Sequence, residues 1–328
     1  MLHKKINFFI VGAPKSGTSF LKYHLGLHPN IFLPKEEPVF MCKDMNDLSN
    51  CKSLEEYLSI FGDNLEKDSD IISGEKSSNY LHSEDAYKEI FNYNPDAKII
   101  ICLRNPISAC PSYHNHNKIM GFELINDFLE AWNSQKLRIL KNYKIPLWAR
   151  NEKNRYQYKN IYSYNIHVLK YLKTFGEKNV KIIFYEDIVN NKVNLFLELY
   201  KFLNVRDFAI PDFKVINKQP KINKIDNTFK NKVHLYKVHF LKKKSIRNLS
   251  QIIKKIFRIK SFSYMHQFLN AVPDTKDGPS SNISYDLVLE KNHLESEKKI
   301  KELLLKDFKE TILDLSKILN KNLDHWLK

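Results

Sequence analysis

Ile6–Leu25 reads INFFIVGAPKSGTSFLKYHL, and this stretch decides the fold class. Ile6–Val11 is an almost unbroken apolar run of strand length, which suits a strand buried on both faces of a parallel sheet. Gly12–Gly17 makes a short turn. From Thr18 onward the spacing of Phe20, Leu21, Leu25 and Leu27 predicts a helix running to His28 and stopped by Pro29. A strand, a glycine-bounded turn and a helix together make an anion-binding geometry. Successive backbone N–H groups and the positive end of the helix converge on one point. Gly17 is expected to let the chain approach the anion closely, while Thr18 and Ser19 add hydroxyl donors.

The nucleoside-triphosphate form of such a loop, G-x-x-x-x-G-K-[ST], places its lysine directly after the second glycine. Here that position is Thr18, and the lysine is Lys15, inside the loop. The strand Lys98–Leu103 also leads into Arg104 rather than an Asp that would hold Mg²⁺. The loop is therefore poorly built for ATP hydrolysis, and no metal is expected.

Outward from this unit, further strands are predicted at Ile71–Ser73, Lys98–Leu103 and Val180–Tyr185. A helix follows the Asn105-Pro106 turn, and another spans about Asn191 to Leu203. Strands alternating with helices imply an α/β fold with a central parallel sheet and right-handed crossovers. Leu294–Leu319 carries Ile300, Leu303, Leu304, Phe308, Ile312, Leu315 and Leu319 at helical spacing, which predicts a long amphipathic helix.

The 328 residues include 53 Lys+Arg against 37 Asp+Glu, a formal charge of +16. With 43% hydrophobic residues there is material for a core, which excludes wholesale disorder. Eight glycines and 12 prolines exclude collagen-like and linker-like chains. Cys42, Cys51, Cys102 and Cys110 form no CxxC pair and read as reduced thiols. No stretch approaches the roughly 18 apolar residues of a membrane span. The first strand starts too early to leave room for a signal peptide, so a cytoplasmic location is expected. Residues 227–273 contain eleven Lys or Arg and no acidic residue. Ile246, Leu249, Ile252, Ile253, Ile256 and Phe257 fall there at helical spacing. This segment reads as a basic helical insertion or subdomain, with one face solvated or turned to an anionic membrane surface.

Four segments, in order, resemble sulfotransferases that use 3′-phosphoadenosine 5′-phosphosulfate (PAPS), of the heparan-sulfate-type and bacterial carbohydrate branch. Gly12–Ser19 is similar to their 5′-phosphosulfate loop. Leu33–Met41 (LPKEEPVFM) is similar to the segment in which a Glu precedes a hydrophobic pair. Glu75-Lys76-Ser77 resembles their Glu-Lys-Ser/Thr-Pro. Leu103–Tyr113 (LRNPISACPSY) resembles the 3′-phosphate signature, with Arg104 and Ser112 eight apart. The ending Asn322-Leu323-Asp324-His325-Trp326 is also similar to bacterial members.

The resemblance implies a P-loop-type three-layer fold in one sulfotransferase domain over residues 1–328, with 227–273 inserted in it. It implies PAPS as co-substrate, adenosine 3′,5′-bisphosphate (PAP) as product, and a carbohydrate or glycolipid acceptor. Lys15 would neutralise the leaving phosphate and bridging oxygen, with Ser16, Gly17, Thr18 and Ser19 around the 5′ end. Arg104 and Ser112 would hold the 3′-phosphate, and Glu37, not Glu36, would be the general base. Lys76 would stabilise the transferring sulfuryl oxygens, and His116, four residues after Ser112, would reach the acceptor. The hydroxyl-transferring heparan relatives carry a His two residues after the base, where this chain has Val39. Two other readings stay open: a nucleotide or sugar kinase with a degenerate loop, and a non-enzymatic binder of anionic glycans or membranes. Nucleic acid is not expected as a partner, because no recognition motif accompanies the charge.

Overall fold

The computed structural model describes residues 5–49, 51–65, 70–208, 213 and 283–328. The chain divides into two compact units, Met1–Lys221 with Ile300–Lys328, and Ile222–Lys299. Of the second unit, only 283–299 is described, as the beginning of the helix Ile283–Ile318. The basic segment 227–273 lies outside the described residues.

The first unit alternates strands and helices. In order they are β1 (Phe8–Gly12), α1 (Thr18–Leu25), β2 (Ile31–Phe32), α2 (Leu54–Ser59), β3 (Ile72–Lys76), α3 (Ala86–Tyr93), β4 (Lys98–Leu103) and α4 (Pro106–Ile119). Then come α5 (Phe128–Asn133), α6 (Gln135–Lys141), α7 (Tyr158–Ile161), α8 (Tyr164–Phe175), β5 (Val180–Phe184), α9 (Tyr185–Asn190) and α10 (Lys192–Leu203). The five strands are parallel in the order β2-β3-β1-β4-β5.

The period-2 alternation of each strand sorts its side chains onto two cores. Phe9 and Val11 of β1 and Ile99, Ile101 and Leu103 of β4 face one side. They pack there with Ile90 of α3, Val168 and Tyr171 of α8, and Leu304, Phe308 and Ile312 of the C-terminal helix. Phe8, Ile10, Ile100 and Cys102 face the other side, against Leu21 and Leu25 of α1 and Leu195, Phe196 and Leu199 of α10. Each such side chain contributes about 1.5–3 kcal/mol on burial, so the sheet's two faces carry most of the cohesion. The expected three-layer α/β arrangement is the one observed.

Several boundaries differ from the sequence reading: β1 is shifted to Phe8–Gly12, β5 stops at Phe184, and the C-terminal helix begins at Ile283. The first helix ends at Leu25, with Gly26 as its C-cap, three residues short of His28. His28 is instead drawn into the fold, where its Nε2 meets the Arg206 carbonyl at 2.9 Å and its Nδ1 accepts from the Asn30 N–H at 3.0 Å. The second predicted strand runs on through Gly74, Glu75 and Lys76, because β1 supplies partners as far as Ile10↔Lys76. Ladder pairing there overrides poor strand propensity. It also carries Lys76 to the C-terminal edge of the sheet.

Candidate active site

The turn between β1 and α1 is held from below. The Ala13 N–H donates to the Cys102 carbonyl at 2.7 Å, tying the loop to β4. The Tyr162 hydroxyl donates to the Pro14 carbonyl at 3.1 Å. Gly17 adopts φ +91°, and a Cβ there would stand 2.5 Å from Ile188 Cδ1 of α9. Its lack of a side chain thus serves both the turn and the close approach of α9.

Arg104 leaves the C-terminal end of β4 beside this loop. Its guanidinium donates to the Lys15 carbonyl at 3.2 Å and lies 4.6 Å from the centre of the Tyr185 ring. The Tyr164 hydroxyl donates to the Arg104 carbonyl at 3.0 Å. Asn105 caps α4 by accepting from the Ile107 N–H, with Pro106 at the first helical position. That start angle runs α4 along the cleft and brings Ser112, Tyr113, His116 and Ile119 to its wall.

The cleft encloses about 2380 Å³ of non-atom space, counting open solvent. It gathers Lys15, Gly17, Thr18, Ser19, Glu37, Lys76, Arg104, Ser112 and His116, residues drawn from five separate stretches of sequence. Glu37 is exposed, while Lys76 is almost fully buried, and the two form an ion pair of 2.5 Å between Nζ and Oε1. The cations on the wall are Lys15, Lys76, Arg104, Arg155 and Lys192, against one carboxylate, Glu37, among the described lining residues. Such a surface favours a multiply charged anion.

Burial lowers the Lys15 ammonium pKa, and the nearby Arg104 and Lys76 charges push it further the same way. His116 is depressed to about 4, first by burial and then by Lys15, Arg155 and Lys76. It is a neutral imidazole at neutral pH, able to donate from one nitrogen and accept at the other.

Two sequence expectations, those for Ser16 and Thr18, need correction or refinement. Ser16 does not face the cleft: it is fully buried, its hydroxyl lies 3.5 Å from the Pro14 carbonyl, and its N–H closes the turn on the Ala13 carbonyl. The Thr18 hydroxyl does line the cleft but shares a hydrogen bond of 3.2 Å with Ser78 Oγ. The partner of Lys76 is Glu37 rather than the adjacent Glu75, which points to the opposite face of the strand and is wholly buried. Glu36 is exposed outside the cleft, and its carbonyl accepts from Lys22 Nζ at 3.0 Å. His114 is turned away as well, with its Nε2 on the Ile125 carbonyl at 2.9 Å.

Sequence reasoning missed Arg155 and Tyr185. Arg155 lies 3.9 Å over the Phe122 ring and is paired with Glu152. No periodic pattern marks the stretch that carries it. Tyr185 had a signal, since it closes the predicted strand Val180–Tyr185 at the ligand-binding edge of a parallel sheet.

A parallel sheet with a phosphate-type loop after β1 and a cationic cleft at the strand ends defines the P-loop-like class of α/β protein. A family model described as the sulfotransferase domain matches residues 5–270, and the chain belongs to that family. It is 27% identical over 208 residues to the bifunctional heparan sulfate N-deacetylase/N-sulfotransferase 4 of Mus musculus, covering 60% of this chain and 22% of that protein. It is 30% identical over 151 residues to enzyme 1 of the same name from Homo sapiens, covering 42% and 17%. The chain thus matches about a fifth of the length of these relatives. Among solved structures, a sulfotransferase from Alicyclobacillus acidocaldarius superposes with a TM-score of 0.63 over 98% of both chains at 21% identity, which shows a common fold.

Proposed function

We propose that the protein moves a sulfuryl group from PAPS to a hydroxyl or amine of a carbohydrate or glycolipid acceptor. The observation that carries this reading is the Glu37–Lys76 pair lying in one cleft with Lys15 and Arg104. A sulfuryl donor with two phosphate positions needs charge at two places and a proton acceptor near the transferring group, and the cleft holds all three. The reading takes residues 1–328 as one sulfotransferase domain, with 227–273 inserted in it. The names of the relatives, which are heparan sulfate enzymes, favour a carbohydrate acceptor.

The loop from Lys15 to Ser19 receives the 5′-phosphosulfate, and Arg104 with Ser112 takes the 3′-phosphate. A guanidinium suits bidentate capture of a phosphate, and its fixed position over Tyr185 reduces what must be ordered on binding. The acceptor oxygen or nitrogen forms a bond to sulfur while the bond from sulfur to the bridging phosphate oxygen breaks. PAP leaves, its new negative charge met by Lys15. The acceptor's proton passes to the Glu37 carboxylate. Lys76 holds that carboxylate and presents its ammonium to the sulfuryl oxygens, and neutral His116 hydrogen-bonds the acceptor. Positioning and charge neutralisation dominate, as in phosphoryl transfer.

The reading is tested by calorimetry of PAP in EDTA. Tight binding without metal, and weaker binding of ATP, is the expected outcome. A requirement for Mg²⁺ or a preference for ATP would instead favour the kinase reading.

A further inference from the structure

The buried carboxylate of Glu75 has no part in the transfer as written, and nothing charged pairs with it among the described residues. Three hydroxyls converge on it instead. Its Oε1 accepts from Ser77 Oγ and from the Tyr80 hydroxyl, each at 2.6 Å, and its Oε2 accepts from the Tyr57 hydroxyl. Each of these three residues also touches one of three consecutive residues in the segment after Glu37. Ser77 Oγ accepts from the Val39 N–H at 3.2 Å. The Tyr57 ring stacks on Phe40, with centroids 4.6 Å apart and planes at 15°. The Tyr80 hydroxyl accepts from the Met41 N–H at 2.9 Å.

The chemistry of a hydroxyl makes these contacts interdependent. A hydroxyl has one proton, and a carboxylate can only accept. Ser77 and Tyr80 therefore spend their protons on Glu75, which leaves their lone pairs to accept from the backbone. The backbone N–H groups can only donate, so Glu75 and the two amides together fix the direction of every hydrogen bond in the cluster. The segment it secures needs fixing: Val39 sits at φ +53°, a region that a β-branched residue rarely occupies unless its surroundings hold it there.

We propose that Glu75 is a positioning residue for the reaction. Through Ser77, Tyr80 and Tyr57 it sets the backbone of 39–41, and so places the Glu37 carboxylate against Lys76. It touches neither substrate. The inference rests on Glu37 acting as base in sulfuryl transfer, but its structural half stands on hydrogen bonds alone.

The test has two arms. The first is amide hydrogen exchange at Val39 and Met41 in Ser77→Ala, Tyr80→Phe and Glu75→Gln. Loss of a buried acceptor should speed exchange at the facing amide on the order of ten- to a hundred-fold. In Glu75→Gln, whose amide nitrogen cannot accept, exchange at one or both amides should rise. Unchanged exchange at both positions in Glu75→Gln overturns the proposal. This arm uses no substrate, so it reads out even if the unaltered protein transfers no sulfuryl group, a result that would sink the functional reading alone.

The second arm is a double-mutant cycle on turnover, with PAP affinity measured alongside. Ser77→Ala should lower kcat on the order of ten- to a hundred-fold, the scale of a misplaced reacting group, with PAP affinity unchanged. Ser77→Thr, which keeps the hydroxyl, should recover most of the rate. In a Glu37→Gln background the same Ser77→Ala change should cost less than about twofold, because the group it positions is already disabled. An equal loss in both backgrounds, or a matching loss of PAP affinity, overturns it. Tyr80→Phe runs the same cycle through Met41 should Ser77→Ala fail to fold.

Discussion

Lys15 stands at φ +62°, a conformation usually left to Gly or Asn, and it is half-buried near the charges of Arg104 and Lys76. Both features cost free energy, and an anion bound in the cleft would offset the electrostatic one. Arg104 offers the sharper test at this scale. Arg104→Ala should weaken PAP far more than adenosine 5′-phosphate, which lacks the 3′ group. A charged hydrogen bond is worth about 1.5–3 kcal/mol, so the differential loss should be on the order of ten- to a hundred-fold by calorimetry. Equal losses for both nucleotides would remove Arg104 from the 3′-phosphate.

Nine of the 21 described residues lining the cleft were legible from the sequence. Lys15, Glu37, Lys76, Arg104, Ser112 and His116 meet there because each sits in a short motif with fixed spacing. Ser16 escaped because a hydroxyl in a tight turn can face either way, and packing against Tyr164 and Pro14 decides it. Arg155 escaped because its place in the cleft depends on Phe122 and Glu152, contacts that no local pattern encodes.

Among the elements, the β1–α1 turn and α9 are built against each other at Gly17. Gly17→Ala would put a Cβ 2.5 Å from Ile188 Cδ1 and strain a backbone at φ +91°. Denaturant unfolding should show a loss of about 1–3 kcal/mol, accompanied by weakened PAP binding. A variant of unchanged stability and affinity would mean that the turn tolerates rearrangement. Strand and helix existence was readable here from periodicity, and β4 matched to the residue. Boundaries were not, where a neighbour decides them: β3 is lengthened by its ladder to β1, and α1 is cut short by the contacts of His28 with Arg206 and Asn30. The two-residue β2 has too little sequence to show a period at all.

At the scale of the molecule, the buried histidines set the response to acid. Burial depresses His82 to about 3 and His116 to about 4, and lowers His24, His114 and His167 in the same direction. Between the ordinary value near 6.5 and these folded values, the unfolded chain binds protons that the folded chain refuses. Stability therefore rises with pH across that window and is lost as pH falls from about 6.5 toward 4. His82 and His116 each add up to about 1.4 kcal/mol per pH unit within it. Unfolding followed from pH 7 to pH 5 should show this slope, and His82→Gln should make it shallower. A slope unaffected by His82→Gln would mean that His82 is protonated in the folded protein.

Sulfuryl transfer with Glu37 taking the proton is tested most directly with sulfur-labelled PAPS. The label is followed into a panel of glycan, glycolipid and small hydroxyl or amine acceptors, using the unaltered protein, Glu37→Gln and Glu36→Gln. Label is expected on at least one carbohydrate-type acceptor, without added metal. Turnover should fall by about a hundred-fold or more in Glu37→Gln, the usual scale for a positioned base. It should stay near normal in Glu36→Gln, whose side chain lies outside the cleft. No transfer to any acceptor, or a Glu37→Gln rate equal to that of the unaltered protein, would contradict it.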